Sequence, residues 1–207
     1  MEALFLCQEP TSSDVVEATV ASPQRLGARF AVALAPQEPA QAGDHADRLV
    51  KRRPIIVHGD GSSLWVVTHA DDFARGFVGL LGNGRALGEA FHITSDEVLT
   101  WNQIYETIGA ALGVDATVVH VPSDFIAQVV PELSGSLLGD KTWSVVFDNT
   151  KIRAFVPGFR ASIPFRDGIR RTLEWFGTDE RRRLVDETVN ADMDRILEAY
   201  AGGCGRE

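Results

Sequence analysis

Three histidines lie near the ends of short apolar runs, where side chains could bind a ligand or a metal. His58 stands two residues before Asp60, His69 stands two residues before a pair of aspartates, and His120 follows two valines. Imidazole and carboxylate groups together can bind several divalent ions. The chain has neither an HxH nor an HExxH spacing. We therefore predict no metal site, and expect these histidines to form structural hydrogen bonds or to contact a substrate.

Residues 79–84, Gly-Leu-Leu-Gly-Asn-Gly, superficially resemble a glycine-rich dinucleotide loop. A functional loop of that kind follows a strand and begins a helix, so that the amides of the helix N-terminus meet the pyrophosphate. Here Phe73, Phe77 and Leu81 have helical spacing, which places a helix before the glycines. The glycines are therefore predicted to end that helix, and no cofactor-binding residue is assigned to them.

Several motifs follow one another in a fixed order within residues 54–176. They read Pro-Ile-Ile-Val-His-Gly-Asp-Gly at 54–61, Leu-Trp-Val-Val-Thr-His-Ala-Asp-Asp-Phe-Ala at 64–74, Gly-Glu-Ala-Phe-His-Ile at 88–93 and Thr-Trp-Asn-Gln-Ile at 100–104. This order resembles the C-terminal half of the extended short-chain dehydrogenases/reductases, the NAD-dependent epimerase/dehydratase family. The resemblance implies an α/β chain that forms the C-terminal part of a Rossmann-type fold, with a small mixed α/β substrate lobe.

The family carries its cofactor fingerprint and a catalytic Tyr-x-x-x-Lys pair in the N-terminal half. Tyr105 and Tyr200 are followed four residues later by Gly109 and Cys204, so neither tyrosine forms the pair and no catalytic residue is predicted. NAD or NADP is implied by the resemblance, and we expect that this chain alone does not bind it. We also expect that the N-terminal cofactor half is missing, so that the chain pairs with a complementary N-terminal half or associates with itself.

Trp65 departs from the family pattern. The resemblance implies an arginine at this place that binds the diphosphate of a nucleotide substrate in a bidentate manner, and a second arginine where Leu137 and Leu138 stand. Tryptophan cannot bind phosphate in that way, so nucleotide sugars are expected to be poor substrates. Two interpretations of Trp65 stay open: it stacks on a flatter or less charged ligand, or it is a half-buried aromatic residue of a strand.

Five residues are predicted to contact the substrate. Trp65, His58 and His69 belong to the two motifs around the Gly-Asp-Gly turn, and Lys141 and Trp143 belong to a Lys-Thr-Trp-Ser stretch that resembles the segment before the family's last conserved helix. The sequence thus predicts an NAD(P)-dependent epimerase, dehydratase or reductase-like protein for a sugar-like or other small hydroxylated or carbonyl substrate. This chain would carry the substrate-binding half. The alternative is a truncated, non-catalytic remnant or a binding or partner module, so enzyme activity of this chain is left open.

The composition excludes several other classes of protein. The chain has 207 residues, 44% of them hydrophobic, and a net charge of −9. An acidic chain is a poor partner for nucleic acid, and the only tight basic run, at 181–183, is interpreted as a solvated helix face. No segment approaches the roughly 20 apolar residues of a membrane span. Cys7 and Cys204 have no metal-ligand spacing, so a reduced, cytoplasmic protein is expected.

Three regions are predicted along the chain. Residues 1–44, which contain four prolines, form a poorly ordered or divergent arm. Residues 45–177 form the epimerase-like C-terminal, substrate-binding region, and residues 178–207 form a charged helix, capped by Thr178, and a tail. Within the central region, strands are predicted at 55–58, 64–69, 90–93 and 117–121. Helices are predicted after Asp71 or Asp72, after a Thr100/Gln103 capping box, at 122–130, at 149–155 and at 165–176.

Overall fold

The computed structural model describes the backbone of residues 6–7, 18–20, 28–30, 33–34, 39–179 and 185–204, and the side chains of residues 44–179 and 185–203. The order of the arm predicted for residues 1–44 and the basic run at 181–183 therefore lie largely outside the described residues. Helices and strands are both present, which confirms the predicted α/β class.

The described strands are short and form four two-stranded ladders. The central ladder is parallel and joins β5 to β8, with Ile55 opposite Val118 and His58 opposite Val121. The remaining ladders are parallel between β1 and β4 and antiparallel between β2 and β3 and between β6 and β7. The bounds are β1 Leu6–Cys7, β2 Ala18–Val20, β3 Ala28–Phe30, β4 Ala33–Leu34, β5 Ile55–His58, β6 Leu64–Trp65, β7 Leu99–Thr100 and β8 Val118–Val121.

Helices make up most of the described chain. Their bounds are α1 Pro39–Val50, α2 Ala70–Leu80, α3 Trp101–Leu112, α4 Ser123–Val129, α5 Ser134–Ser136, α6 Thr150–Phe155, α7 Phe165–Gly177 and α8 Glu187–Cys204. Short 3₁₀ turns occur at Gly84–Ala86 and Pro131–Leu133, and a π-helical turn at Leu137–Lys141. The capping box of Thr100 and Gln103 begins α3 as predicted, and Gly113, in the left-handed region, ends it.

The β5–β8 ribbon lies between two apolar clusters. Ile55 and Val57 are fully buried in the main core, which α1, α3 and α7 complete through Leu49, Ile104 and Ile169. The opposite face of the ribbon, with Ile56, Val119 and Val121, packs on a second cluster with residues of α4 and α8, Ile126 and Ile196. A ribbon that is covered on both faces requires a continuous apolar run, which explains the Ile-Ile-Val sequence of β5.

Two predicted strands differ from the structure. Residues 90–93 were predicted as a strand, and this is wrong: Ile93 is buried by packing on Leu80 and Ile152, and no ladder forms there among the described residues. The second predicted strand, 64–69, is shortened to Leu64–Trp65 and pairs with β7. The strands on either side of the Gly-Asp-Gly turn therefore belong to different ladders.

Two helix caps also differ from the predictions. The N-cap of α2 is His69, whose Nδ1 accepts a hydrogen bond from the amide of Asp71, so neither Asp71 nor Asp72 is the cap. Thr178 does not begin the last helix, because its hydroxyl donates to the Trp175 carbonyl at the end of α7. The Asp186 carboxylate accepts from the Thr188 amide instead, at the start of α8. Each side chain bonds the nearest unpaired backbone group of a helix end.

Two buried polar residues hold the layers together. Arg48 on α1 has no exposed surface and bonds to Asn190 and Asp194 on α8. Asp72 on α2 is equally buried and accepts the amide of Ile163, just before α7. Both residues connect segments that are distant in sequence.

Candidate functional site

A cavity of about 810 Å³ opens where β5 and β8 end. These strands are parallel, so their carboxyl ends, at His58 and Val121, meet at one edge. The volume is within the range of small-molecule sites. The residues that line it come from the turn after β5, from the start of α4 and from the segment after the π-helical turn: His58, Gly59, Asp60, Ser62, Ser63, Ser123, Thr142, Trp143 and Ser144.

His58 joins the strand end to the far wall of the cavity. Its Nε2 lies 2.8 Å from the Lys141 carbonyl oxygen. A carbonyl only accepts, so Nε2 carries a proton and donates it. The ring is 7% exposed and makes an edge contact with Trp101 at 5.0 Å. Burial lowers the pKa of His58, although the bond to the Lys141 carbonyl acts in the opposite direction. The ring is therefore neutral at neutral pH.

The pKa of His58 predicts a pH dependence of stability. The ordinary pKa is 6.5 and the folded value is lower, so the unfolded chain binds more protons between the two values. The free energy of unfolding then falls as the pH falls below the ordinary pKa and levels off below the folded pKa. We expect urea unfolding at pH 7.5 and pH 5.5 to show a smaller difference for His58→Gln than for the unmodified chain, because this part of the proton linkage is removed. An equal difference in both proteins would contradict the assignment.

The turn after β5 fixes the carboxylate of Asp60. Its Oδ1 accepts from the Ser62 hydroxyl at 2.6 Å and from the Ser62 amide at 2.9 Å. These bonds lower the pKa of Asp60, so the group is ionised at neutral pH. Asn102 on α3 holds the same turn from outside: its Nδ2 donates to the Asp60 carbonyl, and its amide donates to the Gly61 carbonyl. His120 in turn donates to Asn102 Oδ1 at 2.8 Å.

Gly61 and Gly59 provide a matched test of this turn. Both have a positive φ, of 71° and 60°. A Cβ at Gly61 would overlap Asn102 and stand 2.8 Å from Val57, whereas a Cβ at Gly59 would meet nothing within 4 Å. We expect Gly59→Ala to cost about 1 kcal/mol for the left-handed backbone alone, and Gly61→Ala to cost roughly 2–4 kcal/mol because overpacking adds to it. Thermal unfolding compares the stability of the two variants. Equal losses of stability would mean that the Asn102 side chain moves aside without an energetic cost.

Hydroxyl groups connect the two walls of the cavity. Ser63 donates to the Lys141 carbonyl at 3.2 Å, Thr142 donates to Ser123 at 2.8 Å, and the Ser144 hydroxyl accepts from the Leu64 amide at 3.0 Å. Each of these hydroxyls takes part in one such bond and has further capacity to donate or accept.

Trp143 presents a fixed ring at the cavity. The side chain is 63% exposed, and its Nε1 donates to the Leu138 carbonyl at 2.8 Å. The bond anchors the indole by its polar edge while much of the ring stays in contact with solvent.

The structure brings three of the five predicted contact residues together. His58 and Trp143 line the cavity, and the carbonyl oxygen of Lys141 accepts a hydrogen bond from His58. Trp65 and His69 lie elsewhere. Trp65 is 8% exposed and packs on Trp101 at 5.4 Å in the main core, which favours the interpretation as a strand aromatic. His69 caps α2 and contacts α7 near Gly168.

The lining residues that the sequence prediction missed are small and polar: Asp60, Ser62, Ser63, Ser123, Thr142 and Ser144. Their positions are the Gly-Asp-Gly turn and the two residues after it, the first residue of α4, and the two neighbours of Trp143. Serine, threonine and aspartate are frequent in turns for backbone reasons, so no feature of the sequence distinguishes a turn residue from a lining residue here.

The other predicted site features concern a metal, a membrane span and Tyr105, within the part of the chain that the structure describes. No group of three or more histidine, cysteine or acidic side chains there could hold a metal ion. None of the helices in these ranges is long and apolar enough to cross a membrane. Tyr105 is half-buried beside the main core, its hydroxyl lies 3.4 Å from His45 Nε2, and burial raises its pKa.

The described residues do not fit the pyrophosphate of NAD(P). Gly79 lies in the last turn of α2, and Gly82, at φ 79°, and Gly84 follow the end of that helix, as predicted. Among the described helices, α3 and α4 begin directly after strands, and neither is preceded by a glycine-rich loop. The first turn of α3 is bonded by its own capping box, so its amides are not available to a phosphate.

Comparison with curated proteins identifies relatives that are longer than this chain. No protein-family model matches it. It is 31% identical over 146 residues to a 2'-dehydrokanamycin reductase of Streptomyces kanamyceticus, which covers 69% of this chain and 40% of the relative. It is 30% identical over 129 residues to a dTDP-glucose 4,6-dehydratase of an Actinoplanes species, covering 62% of this chain and 36% of the relative. The chain thus spans about two fifths of the length of these relatives.

Solved structures show the same fold. A UDP-glucuronic acid 4-epimerase of Bacillus cereus, in complex with UDP-glucuronic acid and NAD, matches 69% of this chain and 41% of its own, with a TM-score of 0.54 and 19% identity. Epimerase Mth375 of Methanothermobacter thermautotrophicus matches 69% and 38%, with a TM-score of 0.54 and 20% identity. The motif order, the Rossmann-like fold and the relatives together show that this chain belongs to the NAD-dependent epimerase/dehydratase type of extended short-chain dehydrogenases/reductases and corresponds to their C-terminal part.

Proposed function

We propose that residues 45–177 form the substrate-binding region of an NAD(P)-dependent enzyme that epimerises, dehydrates or reduces a sugar-like or other small hydroxylated or carbonyl substrate. The observation that carries this proposal is the cavity at the ends of β5 and β8, where His58, Trp143 and the Lys141 backbone meet the hydroxyls of two facing segments. The names of the relatives support the substrate class, since they specify a dehydrokanamycin, dTDP-glucose and UDP-glucuronic acid.

The chemistry of the lining suits a sugar ring. A sugar presents a ring of hydroxyls and, on one face, a patch of C–H groups. Ser63, Ser123 and Ser144 have hydrogen-bonding capacity left for ligand hydroxyls. The exposed indole of Trp143 offers an apolar surface for the C–H face. These side chains would bind and orient the substrate, whereas cofactor and catalytic groups would come from a complementary N-terminal half or another chain.

A second candidate is a binding module without catalysis of its own. Two observations favour it for the isolated chain. Neither Tyr105 nor Tyr200 is followed by a lysine at the fourth position, and the described residues do not fit the cofactor. In both candidates the same cavity binds the ligand, so binding is tested before turnover.

The binding test uses the Trp143 indole as the reporter. The ¹H–¹⁵N resonance of Nε1–H is recorded while cellobiose, UDP-glucose or NAD is added. We expect cellobiose to shift this resonance in a saturable way and NAD to leave it unchanged. Because a ring contact contributes about 0.5–1.5 kcal/mol, Trp143→Ala should weaken the calorimetric affinity for cellobiose about fivefold. Trp175→Ala, which removes another exposed tryptophan outside the cavity, should leave it unchanged.

Two results would contradict the proposal. If neither cellobiose nor UDP-glucose affects the Trp143 resonance, the cavity is not a sugar site. If NAD binds with micromolar affinity, the chain contains a cofactor site that its described residues do not reveal.

A further inference from the structure

The side chains that line the cavity carry charge of one sign. Among the described residues that line it, Asp60 is the only one with a charged side chain at neutral pH, since burial keeps His58 neutral. Lys141 contributes its carbonyl oxygen, and its side chain is not among the lining residues. The remaining side chains are hydroxyls and one indole. Among the described side chains that line the cavity, a ligand therefore meets one charged group, the Asp60 carboxylate. The Lys141 ammonium is not part of this lining, although its charge helps to lower the pKa of His58.

This charge disfavours the diphosphate of a nucleotide sugar. Phosphate groups are bound by guanidinium, ammonium or clustered amide donors. Here the charged side chain of the described lining, Asp60, would repel them, and the net charge of −9 adds to the repulsion at long range. Leu137 and Leu138 occupy the place where the family resemblance implies a second arginine, and Leu137 is buried in the cluster between β8 and α8.

The same carboxylate has capacity to accept hydrogen bonds from a ligand. Both bonds from Ser62 end on Oδ1 of Asp60, and an ionised carboxylate has about four acceptor sites on its two oxygens. An ammonium group donates three hydrogen bonds and accepts none, which matches a carboxylate flanked by hydroxyls. The indole of Trp143, on the same cavity wall as Ser144, also attracts a cation over its ring face.

We infer that the cavity prefers sugars that carry a protonated amino group, with the Asp60 carboxylate as the partner of the ammonium. This inference rests on the proposed function, because it names the substrate class of the same cavity. Asn102 has a positioning role in it, since its side chain and its amide hold both carbonyls of the Asp60–Gly61 turn.

The test uses three disaccharides with the same β-1,4 backbone that differ only at the second carbon of each ring. The glucosamine disaccharide carries ammonium groups, N,N'-diacetylchitobiose carries neutral amides, and cellobiose carries hydroxyls. Their affinities are measured by calorimetry, at low salt and at a pH where the amines are protonated. Exposed ion pairs are weak, so we expect the glucosamine disaccharide to bind about fivefold more tightly than cellobiose, and the preference to decrease as salt is added. UDP-glucose should bind no more tightly than cellobiose.

The variant Asp60→Asn identifies the carboxylate. It should remove the preference for the amine, so that the glucosamine disaccharide and cellobiose bind to the variant with similar affinity. Asp124→Asn makes the same change of charge at an exposed residue of α4 that does not line the cavity, and it should keep the preference.

The outcomes separate the two proposals. If the disaccharides bind equally well, if UDP-glucose binds most tightly, or if Asp60→Asn keeps the preference, the amino-sugar inference is overturned while the cavity remains a sugar site. If no saccharide shifts the Trp143 resonance, the proposed function itself fails, and this inference fails with it.

Discussion

Replacing Arg48 by alanine is expected to lower the free energy of unfolding by about 3–5 kcal/mol, the cost of breaking a buried charged network. The guanidinium is fully buried between α1 and α8. Its Nε donates to the Pro54 carbonyl at 3.0 Å, and its terminal nitrogens bond to Asn190 and, at 2.9 Å, to Asp194. Alanine would leave the carbonyls without a donor and a cavity where the side chain had been.

Urea unfolding measures this effect. Arg53 also pairs with Asp194, and the Asp194 carboxylate is partly exposed. In Arg48→Ala this carboxylate therefore still has a cationic partner and contact with solvent. The lower end of the expected range is therefore the more realistic one. The matched control is Lys51→Ala on the same helix, which removes an exposed i,i+4 pair with Asp47 and should change stability by less than about 0.5 kcal/mol. Similar losses in both variants would show that Arg48 does not attach α8.

The second large effect is expected at Asp72. The carboxylate lies in the first turn of α2, is fully buried, and accepts the amide of Ile163 at 2.8 Å while also pairing with Arg75. Arg75 extends the contact to Ser162 at 3.0 Å. Asp72→Ala would leave the Ile163 amide unpaired and free the chain that leads into α7. We expect a loss of about 2–3 kcal/mol, since an unsatisfied group costs its full desolvation.

The adjacent residue gives the control for Asp72. Asp71 is 70% exposed and makes only long contacts, at 3.7 Å to His69 and 3.8 Å to Arg171. Asp71→Ala should cost no more than about 1 kcal/mol, mainly from the lost interaction with the helix dipole. Thermal unfolding of both variants shows whether the stability contributed by Asp72 comes from its buried hydrogen bond or from its position at the start of the helix. If the two lose the same stability, the helix N-terminus rather than the bond to Ile163 explains Asp72.

The sequence predicted best those elements whose signals are local. The capping box of Thr100 and Gln103, the helical spacing of α3 and the stop at Gly113 all lie within fourteen residues, and all are confirmed. The apolar run of β5 was also predicted correctly. Its partner was not, because Ile55 pairs with Val118, and no rule based on neighbouring residues specifies a distant parallel partner.

Residues of the candidate site were predicted only where a motif marked them. His58 and Trp143 belong to segments that resemble the family, and both line the cavity. Trp65 lies in an equally recognisable motif, yet it faces the main core, because which face of a two-residue strand is buried depends on packing from α3. His69 lies away from the candidate site for a similar reason, since its ring accepts a hydrogen bond from a backbone amide at the start of α2.

The parallel pairing of β5 with β8 also has a kinetic consequence. All of α2, α3, β6 and β7 lies between the two strands in sequence, so a long loop must close before the ladder can form. Contacts of such high sequence separation slow folding. The cavity lies at the carboxyl ends of the two paired strands, so it cannot form before they pair. We therefore expect the cavity to be completed late, after the local helices. A ligand that binds there would then slow unfolding while leaving the folding rate nearly unchanged.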